Sequence, residues 1–203
     1  NTMSRENYLK KIEERIDNSE LGEIFVASDF NDIASSDVAN KSLFRLSESG
    51  VVRRIMRGVY EYPEYSDFLK EYIAPSPDKV AHALARNFGW TIVPSGDTAL
   101  NLLGLSTQVP AVWLYVSDGA YKEYSFDNVT IKFKHTTNKE ISKISYKTAL
   151  VIQALKALGK EKITDATIEK MSTFLSKAEK EAMISEAKYA TSWIYNTIKA
   201  ICK

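Results

Sequence analysis

Apolar residues recur at helical spacing at Tyr8, Leu9, Ile12 and Ile16, which predicts a helix over about Ser4 to Asn18. After Gly22, the run Glu23-Ile24-Phe25-Val26 reads as a short strand, and Ser28 or Asp29 then caps another short helix. In the following stretch, Val38, Ala39, Ser42, Leu43 and Leu46 fall on one side of a 3.6-residue wheel. Asp37, Asn40, Lys41, Phe44 and Glu48 fall on the other, with Arg45 at the flank. Ser36 or Asp37 caps this helix, and Gly50 closes it at the left-handed position after the last turn. Val51, Val52 and Ile55 suit a strand, Arg57-Gly58 marks a turn, and Val59-Tyr60-Glu61-Tyr62 returns until Pro63 stops it. Short helix, tight turn, second helix and basic hairpin is the element order of a winged helix-turn-helix.

Pro63, Pro75 and Pro77 then interrupt the pattern, which places a domain boundary near Lys70 to Ser76 and predicts two domains, 1–70 and 71–203. Ser76 or Asp78 caps a helix with Val80, Ala81, Leu84, Ala85 and Phe88 on its core face; His82 and Arg86, opposite, read as exposed polar residues. A helix of a few turns lies between Ser95 and Gly104. The continuous run Ala111-Val112-Trp113-Leu114-Tyr115-Val116 predicts a buried strand. Asp118-Gly119 marks a turn, and Val129, Ile131 and Phe133 alternate with Thr130, Lys132 and Lys134, giving a small antiparallel sheet whose polar side, ending at His135, is solvated.

From about Ile144 to Cys202 the pattern is helical only. Ala149, Ile152 and Leu155 form a stripe closed by Gly159, and Thr164 caps a helix with Ile168, Met171 and Leu175. Ser176-Lys177-Ala178-Glu179 has capping-box spacing, and Tyr189, Trp193 and Ile194 continue an apolar face. The fold class is therefore α+β: an N-terminal winged helix-turn-helix, then an α+β domain with a small antiparallel sheet and a helical C-terminal tail.

Composition narrows the function. With 44% hydrophobic and 26% charged residues, the chain is of the globular rather than the disordered or membrane class. A formal net charge of +1 excludes a general polyanion binder, so a nucleic-acid surface must be a local patch, and Arg45 to Arg57 is one. One cysteine, Cys202, leaves no disulfide framework or cysteine zinc cluster, and a cytoplasmic location without membrane association is the expectation.

The chemistry of the second helix and hairpin suits double-stranded DNA. Ser36 lies at the start of the helix, Asn40 suits an adenine edge, and Lys41 and Arg45 suit guanine or phosphate. Phe44 suits a thymine methyl or packing under the hairpin. Arg53, Arg54 and Arg57 offer planar guanidinium forks to the backbone from the hairpin. Two other classes compete: a winged-helix protein-interaction module without DNA, and an enzyme. An enzyme would have to assemble its site from Ser95, Asp97, Ser106, Asp118 and His135 by folding alone, so no enzymatic activity, cofactor or metal is expected.

A resemblance spans roughly Tyr8 to His135. It runs through Phe30, Asp32, Ile33 and Ala34, then Leu43-Phe44-Arg45-Leu46, Gly50, Arg57-Gly58-Val59-Tyr60 and Pro63. It continues through Pro94-Ser95-Gly96, Ala99-Leu100-Asn101, Leu103 to Pro110 and Ser117-Asp118-Gly119. This path resembles the AbiEi-type antitoxin family, most specifically from Pro94 to Pro110. The resemblance implies an autorepressor and antitoxin of a type IV toxin-antitoxin system. The N-terminal domain would bind the protein's own promoter, at inverted repeats, and the C-terminal domain would counter a nucleotidyltransferase toxin. Direct contact with that toxin is left open. On this reading Ser95, Thr98, Asn101, Thr107 and Gln108 form the antitoxin surface.

Overall fold

A computed structural model describes residues 4–137 and 141–203. The chain divides into two compact units, Asn1–Trp90 and Thr91–Lys203. The division falls well after the proline-rich stretch where the sequence pattern places it.

The first unit begins with α1 (Arg5–Asp17), which buries Ile12 and Ile16 completely. β1 (Ile24–Phe25) follows, and then a single 3₁₀ turn, Ala27–Phe30, where the pattern predicts a helix. The turn is short for a local reason: Asp29 does not cap a following helix but folds back, its Oδ2 accepting the Val26 N–H at 2.9 Å. Aspartate, asparagine and serine crowd this segment, and such side chains compete with helical backbone bonds.

α2 (Ser36–Glu48) is capped by Ser35, not Ser36 or Asp37; the Ser35 Oγ accepts the Val38 N–H at 3.5 Å. At its other end Gly50 takes φ +82°, and the Val51 N–H reaches back to the Leu46 carbonyl at 2.9 Å, a closure that needs a left-handed residue. Val51 and Val52 belong to this closure, so β2 (Arg53–Met56) starts later than the apolar run suggests. β3 (Val59–Glu61) returns across the Arg57-Gly58 turn. It is the central strand of an antiparallel sheet of order β1-β3-β2, with a bulge between Arg54 and Met56. Phe30, Leu43, Leu46 and Tyr60 close the core over α1.

Two elements then fill what the prolines suggest is a linker. β4 (Tyr65–Ser66) and β5 (Glu71–Tyr72) form a hairpin. α3 (Pro77–Phe88) starts with the Ser76 cap and a proline in its first turn, and packs on the 3₁₀ turn, β1 and β3. Val80, Ala81, Leu84 and Ala85 are buried as expected, but Phe88 is exposed and stacks on Trp90.

The second unit carries a four-stranded sheet of order β6-β7-β9-β8, from β6 (Ile92–Pro94), β7 (Val112–Ser117), β8 (Lys122–Phe126) and β9 (Val129–His135). It is not wholly antiparallel: β7 and β9 run parallel, in register from Val112↔Thr130 to Ser117↔His135. β7 is half-exposed in alternation rather than buried throughout, with Trp113 and Tyr115 buried on the face they share with Ile131 and Phe133. Val93 and Val116 instead join a helical core.

That core comprises α4 (Gly96–Leu102), α5 (Tyr146–Leu158), α6 (Asp165–Phe174), α7 (Lys177–Glu186) and α8 (Ser192–Ile201). The Thr164 cap and the Ser176–Glu179 capping box form as spaced. Tyr189 does not continue the last helical face; it sits in a 3₁₀ turn before α8 and is exposed. No helix among the described residues is long and apolar enough to cross a membrane.

Candidate nucleic-acid interface

The position of α2 is fixed from below by Arg15. Its guanidinium grips Asp32 with two bonds, 2.7 and 2.5 Å, and donates to the Asp29 carbonyl at 2.9 Å, so the loop leading into α2 is clamped to α1. The Arg15 hydrogen bond holds the Asp32 carboxyl below its usual value. With Ala39, Ser42, Leu43 and Leu46 buried, α2 turns Ser36, Asn40, Lys41, Phe44 and Arg45 outward. A shallow groove of about 460 Å³ runs along Val38, Asn40, Lys41, Ser42, Phe44 and Arg45. Phe44 is 47% exposed, and a phenyl ring held in water forfeits its burial energy until something covers it.

Beside this face the β2–β3 hairpin carries its three arginines in two different states. Arg54 and Arg57 are exposed. Arg53 is committed within the chain: its Nη2 lies 2.8 Å from Oε1 of Glu61, a residue only 2% exposed, and 3.3 Å from the Ile73 carbonyl, with its guanidinium 5.2 Å from the Tyr72 ring centre. A buried carboxylate without a cation is costly, so Arg53 is held by Glu61. Of the three arginines expected at a DNA phosphate, Arg53 thus has a partner within the chain already, and it ties the β2–β3 hairpin to Ile73 after β5. Tyr60 lies close by, and burial pushes its phenol up while the Arg54 charge opposes.

An open cleft of about 330 Å³ separates the end of α2 from the second hairpin, lined by residues that include Phe44, Glu48, Arg53, Arg54, Pro63 and Tyr72. The sequence pattern does not single out the exposed aromatic residues of this hairpin. Their signal, Glu64-Tyr65-Ser66 mirrored by Glu71-Tyr72-Ile73, lies between prolines that read as a linker.

The residues expected on the antitoxin surface do not share a surface. Ser95 and Thr98 are interior: Thr98 is fully buried, with Oγ1 accepting the Leu114 N–H at 2.8 Å, and Ser95 Oγ is buried without a partner. Ser95 is the residue before α4 but its side chain makes no cap bond. Asn101, half-buried, donates to the Gln108 carbonyl at 2.9 Å, and Ser106 Oγ accepts the Gln108 N–H at 3.2 Å, so these residues brace the loop after α4. Thr107 and Gln108 face solvent.

Of the residues an enzyme would need, Asp118 Oδ1 accepts the Thr91 N–H and His135 Nδ1 bonds the Gly119 carbonyl, both at 2.8 Å, so both brace the turn after β7. No group of three or more histidine, cysteine, aspartate or glutamate residues suited to a metal ion occurs among the described residues.

No curated protein matches the chain. A family pattern does match, over residues 11–183, and its members are described as a family of unknown function, DUF6088. The match runs from α1 through both units into α7, and the chain therefore belongs to the DUF6088 family.

Proposed function

We propose that the protein is a winged-helix transcriptional autorepressor that reads double-stranded DNA with α2, and that it acts as the antitoxin of a type IV system against a nucleotidyltransferase toxin. The observation that carries the DNA reading is the outward row Asn40, Lys41, Phe44 and Arg45, flanked by the exposed Arg54 and Arg57 of the β2–β3 hairpin. Order and packing support it: α1 and the 3₁₀ turn lie under α2, and the strands follow it as a wing would. The hairpin is short, and the exposed Arg57 at its turn offers a guanidinium to phosphate on this reading.

The antitoxin half rests on the resemblance described above, with Thr107 and Gln108 as the solvent-facing part of that motif. The location that fits this role is the cytoplasm.

The test is titration of the protein's own upstream DNA at several salt concentrations. Asn40→Ala should relax sequence preference, whereas Lys41→Ala should weaken all sequences alike and flatten the log-log salt slope by about 0.9, the increment for one phosphate no longer neutralised. Equal affinity for upstream and scrambled DNA would overturn the repressor reading. Failure of the full chain to rescue cells from a neighbouring nucleotidyltransferase would overturn the antitoxin reading.

A further inference from the structure

The first unit carries an apolar strip that begins on the β4–β5 hairpin, outside the proposed DNA face, and ends on it. At the tip of the β4–β5 hairpin Phe68 is 93% exposed, and Tyr65, Leu69, Tyr72 and Ile73 are each exposed beside it. Tyr65 and Tyr72 pack edge to face across the hairpin, 5.3 Å between ring centres, so the aromatic strip is ordered rather than a loose tip. The strip continues across the cleft to Phe44 on α2. Monomers seldom leave so many large apolar side chains together in water, and such a strip marks an interaction surface.

Charge along the strip says which surface covers it. The hairpin end holds Glu64, Asp67 and Glu71 against Lys70, a formal −2; the α2 end holds Lys41, Arg45, Arg54 and Arg57 against Asp37 and Glu48, a formal +2. None of Lys41, Arg45, Arg54 and Arg57 takes part in an ion pair among the described residues. The acidic hairpin end repels DNA, so a nucleic acid suits only the α2 end and leaves the hairpin end uncovered. A patch that is basic at one end, apolar in the middle and acidic at the other is complementary to itself when turned end for end. That is the requirement of a two-fold, isologous interface.

We propose that a second copy of this chain seats on the strip in a two-fold dimer. The hairpin of each copy lies along α2 of the other, with Phe68 reaching the groove beside the partner copy's α2. The dimer covers the face that the proposed function assigns to DNA, so it is a stored form that DNA must dissociate. The dimer itself is independent of that reading: it is measured without DNA, and its absence would leave the repressor reading standing.

The experiment is sedimentation of the full chain over a wide concentration range. A reversible monomer–dimer equilibrium that weakens with added salt is expected, since exposed charge pairs are screened. Phe68→Ser, which changes no charge on an exposed residue, should weaken dimerisation at least about tenfold. Lys41→Glu with Arg45→Glu should abolish it, as should Asp67→Lys with Glu71→Lys. Combining both charge reversals in one chain should restore it, because the two ends exchange sign together. A monomer at every concentration would overturn the proposal. So would a dimer indifferent to Phe68→Ser, or charge reversals whose combination stays monomeric while circular dichroism shows the fold intact.

Discussion

Arg86 on α3 is bound to Asp29 on the 3₁₀ turn before α2, with Nε 2.8 Å from Oδ1 and Nη2 3.2 Å from Oδ2, and the same Nη2 donates to the Ile24 carbonyl at 3.0 Å. Asp29 therefore serves three donors, since its Oδ2 also accepts the Val26 N–H. One carboxylate joins α3, β1 and the turn that leads into α2.

The first prediction concerns where the N-terminal unit can be cut. A fragment ending at Lys70 lacks α3 and leaves Asp29 and the Ile24 carbonyl without Arg86, whereas one ending at Trp90 keeps them. The longer fragment should unfold cooperatively in urea and bind DNA; the shorter should be markedly less stable. Arg86→Ala in the full chain should cost about 1–2 kcal/mol, reduced from a fully buried charged bond because the arginine is half in solvent. Equal stability of the two fragments would contradict this boundary.

The second prediction separates the hairpin arginines. Arg54→Ala and Arg57→Ala should each lower affinity for all DNA sequences similarly and reduce the salt slope by about 0.9. Arg53→Ala should act through the protein instead. It removes the 2.8 Å ion pair to the buried Glu61 and the contacts to Tyr72 and Ile73, so stability should fall by roughly 1–3 kcal/mol, and Glu61→Gln in the same chain should recover part of it. An Arg53→Ala chain of unchanged stability and flattened salt slope would return this arginine to the DNA surface.

The third prediction concerns the loop after α4. Thr98→Val keeps the shape but removes the acceptor of the Leu114 N–H inside the unit, and should cost about 1–3 kcal/mol. Thr107→Ala and Gln108→Ala, both exposed, should change stability by no more than about 0.5 kcal/mol. Their effect on rescue from the proposed toxin, measured as growth, therefore reports the loop's own part in rescue rather than folding. Full rescue by the double alanine chain would remove this loop from the antitoxin surface.

The sequence shows its helices plainly where periodicity and caps coincide. The Leu43 and Leu46 face, the Gly50 closure, the Thr164 cap and the Ser176–Glu179 box all form where the pattern puts them. Pairing over distance is what the pattern hides. Nothing local distinguishes the parallel β7–β9 ladder from an antiparallel one, and the Tyr65–Tyr72 hairpin lies in a segment punctuated like a linker. Side-chain direction is hidden in the same way. Arg53, Arg54 and Arg57 read alike in sequence, and only the burial of Glu61 opposite Arg53 sets one apart; Ser95 and Thr98 read as polar surface until β7 is laid beside them.

The last prediction is a pH dependence in the second unit. Glu186 is the final residue of α7, an unfavourable end for an acid, because the helix dipole is negative there. Its carboxylate instead reaches the start of α5, where Oε2 accepts the Ser145 N–H at 3.0 Å and the Ser145 Oγ–H at 2.8 Å. Burial raises its pKa, but the bonds from Thr148 and Ser145 outweigh burial and leave it below the ordinary glutamate value. A carboxylate with a lowered folded pKa adds stability that is fully present above its unfolded value and is lost as pH falls through the folded one. The wild-type chain should therefore lose this increment on acidification below about pH 4. Glu186→Gln should lack it at neutral pH, by about 1 kcal/mol after solvent screening, and should converge with wild type in acid. Glu179, also lowered, chiefly by the Ser176 N–H it accepts, titrates in the same direction in both chains, so the difference between them isolates Glu186. Urea denaturation of the two chains at a series of pH values measures it, and parallel stability curves across that range would show that Glu186 does not cap α5.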